Sequence, residues 1–286
     1  MSVTTKATIA SFGGKLLKLS HQATTTRCEM AFNLYLPPQT FQDPAAKIPV
    51  LIYLSGLTCT ADNCSEKGFF QHGASKRGIA VLYPDTSPRG LDIQGENDSW
   101  DFGTGAGFYV DATESPYKEG YNMYSYVTEE LPQTVFAAFP QLDATRVSIT
   151  GHSMGGHGAL TLFLKNPGKY KSVSAFAPIS NPINCPWGQK AFNGYLGSES
   201  EKWKAYDATE LVKKWKGDLN LLIDVGTGDN FYKQGQLLPE NFEAAAREAG
   251  VAGVQVRYQP DYDHSYFTMA TFADDHVDHA ARYLFA

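Results

Sequence analysis

The sequence predicts an α/β fold: a mostly parallel central sheet with helices on both faces, entered through an antiparallel strand pair, in a single domain over residues 1–286. Three observations carry this. Short, almost continuous apolar runs recur at 50–54, 79–83, 147–149, 173–177, 219–225 and 254–258, as in strands buried on both faces of a parallel sheet. Helical patterns fill the gaps at about 65–77, 123–139, 154–166, 240–249 and 265–284, giving the alternation of a doubly wound sheet. Ahead of these, Met30, Phe32, Leu34 and Leu36 alternate with Glu29, Ala31, Asn33 and Tyr35, a strand with one buried face. The stretch 16–19 is its expected antiparallel partner. Pro132 should bend or delay the helix at 123–139.

Composition narrows the partners. The net charge is −6 and no run of Lys or Arg occurs, which argues against nucleic acid or an anionic membrane. No segment approaches the roughly 18 apolar residues of a spanning helix, and 1–10 does not read as a signal peptide. Cys28, Cys59, Cys64 and Cys185 are too few for a disulfide scaffold, so reduced thiols and a cytoplasmic location are expected. The Cys59/Cys64 spacing is not completed by a second pair or a His cluster, so no metal is expected.

Residues 151–158 read Gly-His-Ser-Met-Gly-Gly-His-Gly. Four glycines are a poor start for a helix, each costing roughly 1 kcal/mol against Ala inside one. They make sense as Gly-x-Ser-x-Gly between a strand and a helix, where a tight turn exposes the Ser153 hydroxyl and the flanking sites cannot hold a Cβ. Gly156 and Gly158 then let the helix pack closely on neighbouring backbone. A serine nucleophile needs a base and an orienting carboxylate, in the chain order Ser, Asp or Glu, His. His264 follows the strand at 254–258 and is the preferred base. His276 and His279 lie inside an amphipathic helix and read as a solvated surface pair. For the carboxylate, spacing favours Asp229, beyond the strand at 219–225, over Asp224 within it. An oxyanion hole needs two backbone N–H groups. Met154, after the nucleophile, and Leu57, on the loop after the strand at 50–54, are the candidates.

Six stretches resemble the S-formylglutathione hydrolases of the esterase D family. They are Leu-Ser-Gly-Leu-Thr-Cys-Thr at 54–60, Pro-Asp-Thr-Ser-Pro-Arg-Gly at 84–90 and Ser-Trp-Asp-Phe-Gly-Thr-Gly-Ala-Gly-Phe-Tyr-Val-Asp-Ala-Thr at 99–113. The others are the 151–160 segment, Gly-Gln-Leu-Leu-Pro at 235–239 and Tyr-Asp-His-Ser-Tyr at 262–266. The resemblance implies an α/β-hydrolase fold and cleavage of the thioester S-formylglutathione to glutathione and formate, with no cofactor and a homodimeric assembly. It places the triad on Ser153, Asp229 and His264, and the oxyanion amides on Leu57 and Met154. A broad carboxylesterase or acyltransferase on the same fold is the alternative; a non-catalytic binding module is disfavoured by the complete triad. Side activity on small carboxylic esters is expected. Trp100, Phe102, Phe108, Tyr109 and Trp187 are candidates to wall a narrow acyl pocket. Cys59, two residues beyond Leu57, is either a redox- or inhibitor-sensitive thiol or a small buried hydrophobe. Cys64 has no assigned role.

Overall fold

A computed structural model describes residues 2–286. Its nine strands are β1 Thr4–Ser11, β2 Gly14–Gln22, β3 Glu29–Leu36, β4 Ile48–Leu54, β5 Ala80–Pro84, β6 Leu142–His152, β7 Val173–Phe176, β8 Leu221–Gly226 and β9 Val254–Gln259. They form one sheet in the order β1-β2-β3-β5-β4-β6-β7-β8-β9. The first three strands are antiparallel, β3 pairs antiparallel with β5, and every pairing from β5 to β9 is parallel.

The apolar runs earn their places by packing on both faces. In β4, Val50, Ile52 and Leu54 enter the larger core, while Leu51 and Tyr53 enter the other. The larger core takes Leu160 and Leu164 of the helix Met154–Lys165, Leu131 and Val135 of Leu131–Ala138, and Phe242 of Pro239–Glu248. The opposite face packs Phe70 and Ala74 of the helix Phe70–Arg77 and Met269, Ala273 and Val277 of Tyr266–Leu284.

The structure departs from the expectations in four places. β1 extends the N-terminal antiparallel pair to three strands. Its residues are largely exposed, so no alternation marked it. The helix expected at 65–77 is two helices, Ala61–Lys67 and Phe70–Arg77, separated where Phe69 turns left-handed at φ 63°. Around Pro132 the chain keeps turning as a π-helical segment, Tyr126–Glu130, before Leu131–Ala138. A proline ring crowds the carbonyl four residues back, and that carbonyl, Thr128, accepts from Lys169 Nζ at 2.5 Å instead. Finally, His276 and His279 are buried, at 0% and 8% exposure. Their helix is amphipathic as expected, but both imidazoles turn toward the sheet: His276 stacks on Phe176 at 3.6 Å between ring centroids.

Candidate active site

The C-terminal ends of β4, β6, β8 and β9 assemble the site, at the edge where open α/β sheets bind ligands. β6 runs to His152, and Ser153 then turns the chain at φ 58°, ψ −119°, a left-handed conformation that a non-glycine residue adopts only under compulsion. The compulsion is visible. Ser153 N–H donates to Phe176 O at 2.9 Å, and Ser153 O accepts from His157 N at 3.0 Å and Ile179 N at 3.2 Å. A Cβ on Gly151 would lie 2.2 Å from Gly155 O, and one on Gly155 2.0 Å from Leu54 O. The glycines therefore let the turn close against β4. A Cβ on Gly156 would lie 2.9 Å from Pro178 Cα, the close backbone packing expected of it, whereas one on Gly158 would meet the Tyr109 ring at 2.5 Å rather than backbone. His157, pushed down to about 4 by burial, stays neutral and bonds Phe108 O through Nε2 at 2.9 Å.

Asp229 lies three residues past the end of β8 and is wholly buried. Its Oδ1 accepts from the N–H groups of Phe231 and Tyr232 at 2.7 and 3.3 Å. That leaves Oδ2 for His264 Nδ1, at 2.5 Å. The bond fixes the tautomer: Nδ1 carries the proton toward the carboxylate, and Nε2 is free to accept one. The His264 ring is packed edge-on against Phe231, with centroids 4.8 Å apart. Asp224 is elsewhere. Inside β8 its carboxylate takes Arg257 Nε at 2.8 Å and Nη2 at 2.5 Å, Gln259 Nε2 at 2.8 Å and His276 Nε2 at 2.8 Å. Neither it nor any of these partners lines the cavity over Ser153.

After β4 the chain turns at 55–59 around a support that the sequence reading missed. Thr58 N–H donates to Gly105 O at 2.9 Å, and Tyr109 Oη to Ser55 O at 2.8 Å. The Cys59 carbonyl accepts from Thr86 Oγ1 at 2.5 Å and Arg89 Nη2 at 3.2 Å. Arg89 is itself held by the buried Asp85 through two 2.9 Å bonds. Among the described residues, neither the Leu57 nor the Met154 N–H donates to another backbone group. Both are thus left for something else to use.

A cavity of about 210 Å³ opens over Ser153, lined by Gly56, Leu57, Thr58, Cys59, Trp100, His152, Ser153, Trp187, Phe231, His264 and Tyr266. Of the proposed pocket aromatics, Trp100 and Trp187 line it, with rings edge to face at 5.7 Å. Phe102, Phe108 and Tyr109 do not. Phe108 and Tyr109 are fully buried beneath the loop, and Phe102 stacks on Tyr195 at 4.5 Å. The 103–108 loop lies near the site, and its part is to prop residues 55–59 from behind. Phe231, Tyr266 and His152 were not singled out from sequence. Of these only His152 could have been, as the x of the Gly-x-Ser motif. Its ring lies 4.5 Å from that of His264. Burial first, and His264 second, hold it well below the usual imidazole range, so it is neutral. Cys59 Sγ lies 3.8 Å from Tyr266 Oη, and burial pushes its thiol up.

A serine on a forced turn, an imidazole oriented by a buried carboxylate and two uncommitted amides on one α/β sheet define an esterase of the α/β-hydrolase fold. The comparisons agree and go further. Residues 23–280 match a family described as putative esterase. The chain is 58% identical over 274 residues to the S-formylglutathione hydrolase of Rattus norvegicus, covering 96% of this chain and 95% of that one. It is 52% identical to that of Arabidopsis thaliana at the same coverage. Among solved structures, an S-formylglutathione hydrolase from Agrobacterium tumefaciens superposes with a TM-score of 0.92 at 44% identity, covering 99% of this chain and 100% of that one. The chain belongs to the S-formylglutathione hydrolase family of esterases.

Proposed function

We propose that this chain is a serine thioesterase that hydrolyses S-formylglutathione to glutathione and formate. The 2.5 Å bond from His264 Nδ1 to the buried Asp229 carboxylate, at the same cavity as the Ser153 elbow, carries the reading. Ser153 Oγ attacks the formyl carbon as His264 Nε2 takes its proton. Leu57 and Met154 N–H groups hold the oxyanion, each worth about 10² to 10³ in rate. Collapse breaks the C–S bond, and His264 returns the proton to the departing thiolate. Water then attacks the formyl-Ser153 ester with His264 again as base, releasing formate and regenerating the serine.

The narrow cavity between Trp100, Trp187 and the 55–59 loop suits a formyl group, and small carboxylic esters meet the same groups as slower side substrates. The homodimer that the resemblance implies and a cytoplasmic location belong to the same reading. The deciding experiment compares kcat/KM for S-formylglutathione, S-acetylglutathione and an aryl acetate. The formyl thioester should lead. A preference for the aryl ester would mark a general carboxylesterase instead. Light scattering tests the dimer.

A further inference from the structure

A cavity of about 210 Å³ is below the roughly 300–1,000 Å³ that encloses a drug-sized ligand. It can take a formyl thioester but not the charged tripeptide attached to the sulfur. Next to it is a second, open trough of about 440 Å³, lined by Asn230, Phe231, Gln234, Asp263, His264 and Ser265. Phe231 and His264 belong to both walls, so the two spaces adjoin along these two rings. The reaction supplies the direction. The group that protonates the departing sulfur must face it, so the leaving group emerges on the His264 side.

We propose that this trough is the subsite for the glutathionyl moiety. The Asp263 carboxylate meets the γ-glutamyl ammonium, and the Asn230 and Gln234 side-chain amides meet the peptide groups. The proposal rests on the thioesterase reading above and names which part of the molecule selects the thiol. Asp263 is built for the task. Its Oδ1 accepts from Ser265 N at 2.9 Å, Ser265 Oγ at 2.6 Å and Thr268 Oγ1 at 3.1 Å, which fixes the carboxylate at the start of the helix. Its Oδ2 takes no partner among the described residues. The Ser265 bonds hold the carboxyl below its usual range, so it is charged at neutral pH. Glutathione carries one ammonium and two carboxylates. A single fixed anion therefore attracts the ammonium and repels the glycyl carboxylate, with the carboxylate beside the ammonium turned to water, giving orientation more than raw affinity. Asn230, Gln234 and Asp263 are all exposed, so a hydrated tripeptide can settle there with little desolvation.

The test pairs Asp263→Asn with a change in the substrate. For wild type, replacing S-formylglutathione by its analogue lacking the γ-glutamyl amino group should raise KM about 1.5-fold to fivefold, the range of an exposed ion pair. In Asp263→Asn the two thioesters should become equivalent, because the pair is already gone. The ratio of kcat/KM between S-formylglutathione and p-nitrophenyl acetate should fall by the same factor, through KM. Asp263→Lys should enlarge the effect. Parallel losses on the thioester and the aryl ester would overturn the proposal and make Asp263 a support for His264. Equal discrimination against the deaminated analogue in wild type and variant would place the glutathionyl group elsewhere. A wild-type enzyme active on the aryl ester but idle on S-formylglutathione would remove the thioesterase reading itself, and this proposal with it.

Discussion

Two aspartate–histidine pairs with buried carboxylates lie within one part of this molecule, and they do opposite things. Asp224 bonds His276 at 2.8 Å and Asp229 bonds His264 at 2.5 Å; both carboxylates are buried. They differ in what surrounds them. Asp224 sits inside β8, its charge shared with Arg257 and Gln259, and the His276 ring is fully buried against Phe176. Asp229 lies beyond the strand, its second oxygen spent on backbone N–H groups, and His264 faces a cavity that also exposes Ser153. A hydrogen-bonded Asp–His pair is thus only half a catalytic device. The other half is open space on the free side of the ring, with a nucleophile in it.

The largest effect expected from this contrast is at the mouth. Ser153→Ala should lower kcat by about 10⁴ to 10⁶, since triad members act as a unit, with the unfolding midpoint little changed. A fluorophosphonate should label Ser153 and no other serine. Asp229→Asn should cost on the order of 10⁴ in kcat by favouring the wrong His264 tautomer, whereas Asp224→Asn should reduce kcat only a fewfold. Its loss should appear in stability instead, about 3 kcal/mol by urea titration, because Arg257 and His276 lose the buried charge that they were built around. If Asp224→Asn kills turnover in a folded protein, the two pairs are not separate.

Acid should separate the interior from the mouth in a second way. Burial lowers His276 against the opposing pull of Asp224, and pushes His279 down to about 4; His157 is also at about 4. An unfolded histidine takes up its proton near pH 6.5, so the folded state binds fewer protons between about pH 6.5 and 4. The stability these groups contribute is present above that window and is lost as pH falls through it. Asp224 acts later. Burial would raise its carboxyl, but the bonds from His276 and Arg257 outweigh that and hold it well below the usual range. Its contribution is lost only below about pH 4. Urea midpoints should therefore be level near pH 7 to 8 and decline from about 6.5, and His279→Gln should flatten the upper part of that decline. A midpoint unchanged from pH 7.5 to 4.5 would mean that these rings accept protons without opening the core.

How much of this was legible in the sequence follows the same division. The parallel strands announced themselves because burial on two faces demands unbroken apolar runs, and the elbow because only glycine fits at 151 and 155. β1 was silent: an exposed edge strand has no buried face to pattern it. The burial of His276 was hidden because periodicity shows that a helix has an inner face, while a polar residue on that face needs a partner, Asp224, from a strand 52 residues away. The support of the 55–59 loop was hidden for the same reason. Thr86, Arg89 and Gly105 lie in stretches that carry the family resemblance, but they meet residues 58–59 only through tertiary contact, so nothing local revealed what they do. Phe102, Phe108 and Tyr109 had the right composition for a pocket wall and the wrong depth.

The smallest effect, and the sharpest for the contrast, concerns the thiols. Cys64 is fully buried, packed in the core with Tyr53 and Phe70, whereas Cys59 lines the cavity beside Tyr266. Only Cys59 has open space. Burial pushes its thiol up, and the thiolate is the reactive form, so N-ethylmaleimide should inhibit slowly at pH 7 and progressively faster toward pH 9. The carbonyl of Cys59 is tied to Thr86 and Arg89, so an adduct cannot be absorbed by moving this end of the loop. It must crowd the cavity or displace the Leu57 amide, and losing one oxyanion donor lowers the rate by about 10² to 10³. Cys59→Ala should keep most of the activity, having removed a side chain that makes one weak contact, and should resist the reagent. Mass spectrometry of the inhibited native enzyme should find the adduct on Cys59 and none on Cys64. A Cys59→Ala enzyme still inhibited at the parent rate would move the sensitive group elsewhere, and an inactive one would make the thiol part of the chemistry.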